Sequence, residues 1–102
     1  MFSGGSYEDV SRWLRNFLTV HAKREDPRME IVMEDGGDLE GRGYRARVRF
    51  GDRLGDPLTF DYREVADNRG TLAWCAALAL RIREVAHSLL RAAASARDAR
   101  AR

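Results

Sequence analysis

The chain has 102 residues, 44% of them hydrophobic and 33% charged, with a formal net charge of +2 and a single cysteine. That length holds one hydrophobic core without disulfide or metal support, and apolar residues in periodic blocks exclude a disordered chain. No apolar run approaches the ~20 residues that span a bilayer, and the lone Cys75 excludes an intramolecular disulfide.

Charge is unevenly placed. Residues 1–40 carry 5 basic and 9 acidic groups and residues 41–102 carry 13 and 7, so the two parts come to −4 and +6. Such asymmetry permits a polyanion partner. Of the 18 basic residues only Lys23 is lysine, the rest being arginine. The opening Met-Phe-Ser-Gly-Gly-Ser has no cationic-then-apolar signal pattern, and the expected location is cytoplasmic, with no membrane partner.

Ser6-Tyr-Glu-Asp9 reads as an N-cap with an acidic residue three positions on, followed by Val10, Trp13, Leu14, Phe17, Leu18 and His21 at helical spacing. A helix over about 7–23 follows, closed by the approach to Pro27. Met29, Ile31 and Met33 then alternate with Glu30, Val32 and Glu34 as a first strand, ended by the turn-formers Asp35-Gly-Gly-Asp38. Tyr44-Arg-Ala-Arg-Val-Arg-Phe50 alternates most regularly of all, placing Arg45, Arg47 and Arg49 on one face and Tyr44, Ala46, Val48 and Phe50 on the other. Leu58, Phe60 and Tyr62 alternate with Thr59, Asp61 and Arg63 as a third strand. After the breaker Asp67-Asn-Arg-Gly-Thr71, a helix runs from about 71 to at least 94. Leu72, Cys75, Leu78, Ile82, Val85, Leu89 and Ala93 form its first stripe, and Ala76, Leu80, Arg83, His87 and Leu90 a second, mixed one.

The expected fold is α+β, in the order α-β-β-β-α, with a three-stranded antiparallel meander and two helices packed on one face. Residues 1–102 form a single domain, with an ordered core of about 6–94 and a flexible basic tail over 95–102. The core is expected to hold Met29, Ile31, Met33, Tyr44, Val48, Phe50, Leu58, Phe60, Trp13, Phe17 and Leu78.

No G-x-S-x-G, close HxxxH or CxxC spacing occurs, and His21, His87 and Cys75 are the only soft metal-ligand side chains. No catalytic residue, metal site or cofactor is assigned, and the chain is expected to be non-enzymatic. Two binding surfaces remain. Residues 72–80 are apolar around the whole helix, and the helix is longer than the strands it covers, so a protein partner or a homodimer is expected through Trp74, Leu80, His87 and Leu90. The alternative is anion or nucleic-acid binding through Arg45, Arg47 and Arg49 with Arg97, Arg100 and Arg102 of the tail. On that strand, acidic flanks Glu30, Glu34 and Asp61 stand ready to pair the guanidinium groups.

The helix, three strands, helix order over residues 7 to about 90, with Gly43-Tyr44 at the second strand and Ala76-Ala77 in the second helix, resembles the double-stranded-RNA-binding domain. The resemblance implies that topology and a nucleic-acid partner. Such domains carry a lysine cluster at the start of the second helix, whereas Gly70-Thr-Leu-Ala-Trp-Cys75 has no base.

Overall fold

The structure, a computed structural model, describes residues 6–34 and 37–101, with side chains through Arg97. Asp35, expected in the first turn, and Arg102 lie outside the described residues, and the side chain of Arg100 is likewise undescribed.

Helix α1 spans Tyr7–Glu25 and starts as the sequence specifies, the Ser6 hydroxyl accepting from the Asp9 amide at 3.0 Å. Its sheet-facing stripe, Val10, Leu14, Leu18 and Ala22, is completely buried. Strand β1 (Glu30–Glu34) and strand β2 (Gly43–Phe50) pair antiparallel, with Val32 opposite Arg47 and Ile31 opposite Val48. On the other side of β2 lie β3 (Arg53–Leu54) and β4 (Leu58–Asp61), both antiparallel to it. These two short strands share one edge of β2, so the arginine strand is central and the expected three-stranded meander has a broken third member. The Gly55 amide spans the break, donating to the Val48 carbonyl at 2.8 Å.

The third strand was expected to continue through Tyr62 and Arg63. Instead β4 stops at Asp61 and the chain turns into a short helix α2, Tyr62–Asn68. The cause is local: the Asp61 carboxylate accepts from the amides of Arg63 (3.0 Å) and Glu64 (3.3 Å), which supplies two otherwise orphan donors of a helix start. α2 buries Val65 and Ala66. Helix α3 then runs Leu72–Ala101, its first turn closed by the Cys75 amide donating to the Thr71 carbonyl at 3.0 Å.

Both α1 and α3 cover the apolar sheet face, and Tyr44, Val48, Leu58, Phe60, Leu78, Ile82, Ala86 and Leu89 complete the core with Met29. Trp13, Phe17, Ile31, Met33 and Phe50, expected inside, are partly buried around its margin. Each fully buried large side chain contributes roughly 1.5–3 kcal/mol. Trp13 meets Trp74, and Glu25 meets His87, so α1 and α3 run side by side in the same direction.

At 1.5 Å per residue the 30 residues of α3 reach ~45 Å, against ~26 Å for the eight of β2. The helix therefore overhangs the sheet, as its length in the sequence implied, and the longest dimension of the molecule is 57 Å. Leu89 is the last buried residue among its described side chains; beyond it Leu90, Ala93 and Ala96 are half-buried.

Candidate protein-interaction surface

Leu72 and Leu80 are exposed at 84% and 58%, and Ala73, Ala76 and Ala77 between them are exposed as well. From Leu72 to Leu80 no residue carries a charge, in a chain one-third charged. Leu72, Ala76 and Leu80 stand four residues apart, so they form one row along the outer side of α3. Leu72 was expected on the sheet-facing stripe. It is the first residue of α3, more than a turn ahead of Leu78, where the helix first becomes buried, and so it projects beyond the core. Val20 of α1, 51% exposed, also faces away from the sheet, since it lies off the Val10, Leu14, Leu18 stripe.

The other residues anticipated for the interface are held within the chain. Trp74 is half-buried, its Nε1 donating to the Glu64 carboxylate at 3.0 Å and its ring 6.4 Å from that of Trp13. It ends an aromatic ladder in which Trp13 stacks on Phe17 at 5.2 Å and Phe17 meets His21 at 4.4 Å. Burial, then the charge of Arg24, lowers the His21 pKa below its ordinary 6.5. His87 Nε2 is 2.7 Å from Glu25 Oε1, with Arg83 3.8 Å from the same oxygen, a contact that ties α3 to the end of α1. Leu90 packs against the core margin. Of the four, Leu80 alone is exposed, and Leu72 and Ala76 of the same helix are exposed with it.

On the open sheet face, Arg49 Nε donates to Glu30 at 3.1 Å and Arg45 Nη1 to Glu34 at 3.3 Å. The first contact holds the Glu30 carboxyl below its usual range. Arg47 sits opposite the apolar Val32 and has no ion pair among the described residues. Two of the three guanidinium groups are therefore already bound to carboxylates, which cancels much of the potential a phosphate would meet. Arg97 is exposed on the overhang of α3.

A tyrosine cluster that no sequence pattern signals locks α1 to β2. Tyr7 Oη donates to the carbonyl of Gly43 at 2.6 Å, Tyr44 Oη donates to the carbonyl of Tyr7 at 2.7 Å, and the two rings stack at 4.7 Å. Cys75 is half-buried, its thiol 3.5 Å from the Arg69 carbonyl. No group of three or more potential metal ligands occurs among the described residues, and none of their helices is long and apolar enough to cross a membrane. No protein-family model, curated protein or solved structure matches the chain.

Proposed function

We propose that this chain is a protein-interaction module that self-associates through the outer face of α3 between Leu72 and Leu80. The observation that carries the reading is the uncharged row Leu72, Ala76, Leu80, solvent-facing on a helix whose opposite side fills the core. A soluble helix normally sets charges there.

The row is large, small, large, and therefore self-complementary. A two-fold axis at Ala76 brings Leu72 of each copy against Leu80 of the other, while the alanines let the two backbones approach. Burying four leucines gains on the order of 5–9 kcal/mol. Association costs at least about 4 kcal/mol, so the net gain is at most about 5 kcal/mol and the dimer is weak, with a Kd of about 200 μM or higher. The nucleic-acid alternative through Arg45, Arg47 and Arg49 draws less support, because Arg45 and Arg49 are engaged by Glu34 and Glu30.

Light scattering across a concentration series tests the proposal. The apparent mass should rise from 11.6 kDa toward twice that value at high micromolar concentration. Leu80→Glu, at an exposed position, should hold the protein at the monomer mass with an unchanged circular-dichroism spectrum. A wild-type mass of 11.6 kDa up to millimolar concentration removes the reading.

A further inference from the structure

At the far end of α3 from the leucine row, the overhanging helix leaves a cleft of about 920 Å³ between itself, the end of α1 and the turn joining β2 to β3. Phe50, Leu90 and Ala93, all half-buried, give it an apolar floor. Lys23, Arg28, Arg53 and Arg97 line it as cations, against Glu30 and Asp52.

Two of these six charges are already paired, and the other four set the chemistry. Arg28 chelates Asp26 through Nε at 3.0 Å and Nη2 at 2.8 Å, and lies 4.8 Å from the Phe50 ring centroid as a wall. Glu30 is held by Arg49, which does not line the cleft. Lys23 donates one hydrogen bond to the Pro27 carbonyl at 3.0 Å, leaving donors to spare. Arg53 and Arg97 have no ion pair among the described residues, and neither does Asp52. Three available cations thus face one available carboxylate over an apolar floor.

We propose that this cleft binds a small amphipathic acid, with an aromatic or aliphatic body on Phe50, Leu90 and Ala93 and its carboxylate between Arg53 and Arg97. The volume lies in the range of small-molecule sites, and a few charged groups around an apolar floor are what orients such a ligand. A guanidinium presents paired N–H donors that match the two carboxylate oxygens.

The test is an NMR titration of the labelled full chain with naphthalene-2-carboxylate, and in parallel with naphthalene-2-carboxamide, its neutral counterpart. The carboxylate should shift the amides of Phe50, Gly51, Leu90 and Ala93, and bind at least tenfold tighter than the carboxamide. The double variant Arg53→Gln, Arg97→Gln should weaken the carboxylate about tenfold and leave carboxamide binding unchanged. Equal binding of the two compounds, or a double variant with wild-type carboxylate affinity, overturns the proposal. So does an absence of shifts at those four residues at millimolar carboxylate.

Discussion

Gly43 opens β2 opposite Asp61, and a Cβ built there runs into the backbone carbonyl of Phe60, well inside van der Waals contact. Backbone, unlike the end of a side chain, cannot swing aside. Gly43→Ala must therefore part β2 from β4 where Tyr44 faces Phe60 and where the Tyr62 amide donates to the Arg42 carbonyl at 2.8 Å. The same shift strains the 2.6 Å hydrogen bond from Tyr7 Oη to the Gly43 carbonyl.

Two weakened hydrogen bonds cost about 1 kcal/mol each, and forced overpacking adds roughly 1–3 kcal/mol. The reduced freedom of the unfolded chain returns about 0.4–1 kcal/mol. The net loss is about 2–4 kcal/mol, a large share of the 5–15 kcal/mol typical of a whole domain. Urea unfolding followed by circular dichroism reads this as a lower midpoint at an unchanged slope. Gly70→Ala is the matched control: nothing lies within 4 Å of its Cβ, so it should be neutral or stabilise by up to about 1 kcal/mol. If Gly43→Ala unfolds within about 0.5 kcal/mol of the wild type, the reasoning about β2 and β4 is wrong.

Three further outcomes follow from local chemistry. Asp61→Ala removes the acceptor for the Arg63 and Glu64 amides and should cost about 1 kcal/mol in the same assay, whereas an unchanged midpoint denies the cap. The His21 ring should titrate below 6.5 by proton NMR, with Arg24→Gln moving it upward; its neutral form favours folding, so that stability is present above 6.5 and lost as pH falls through the lowered value. A midpoint at or above 6.5 contradicts this. Hydrogen bonds from Arg28 hold the Asp26 carboxyl at about 2 instead of 3.8, so its contribution is complete above 3.8 and disappears as pH falls through about 2. Asp26→Asn should accordingly trail the wild type in urea midpoint near neutral pH and converge with it at the acid end; parallel curves throughout rule this out.

Much of the architecture was legible because the patterns were long. The α1 stripe and the strict alternation of Tyr44–Phe50 each repeat one period over several residues, and both elements stand where that period puts them. Asp61 was harder. The alternation Leu58, Phe60, Tyr62 argued for strand, while Asp61 followed by Glu64 three residues later is a capping signature, and the cap won at Tyr62. Leu72 was misplaced for a related reason: a helical stripe gives the angle of a residue, but not whether the helix has yet reached the sheet. The surface was half legible. The uncharged run from Leu72 to Leu80 is visible in sequence, but which of its sides is inward depends on α2 and Glu64, and those draw Trp74 inward and leave Leu80 outside. The cleft under α3 was not legible at all, because it joins residues from Lys23 to Arg97 that meet only in the fold.

The self-association claim is tested most directly by isotope-filtered NMR on a mixture of labelled and unlabelled chains at high micromolar concentration. Leu72 and Leu80 are eight residues apart on one helix, ~12 Å along its axis. A methyl contact between them can then arise only between copies. Self-association through this row should give filtered cross-peaks from Leu72 to Leu80 that vanish in Leu80→Glu. A sample whose mass is dimeric but whose filtered contacts lie elsewhere, or a sample with no filtered contacts at all, contradicts it.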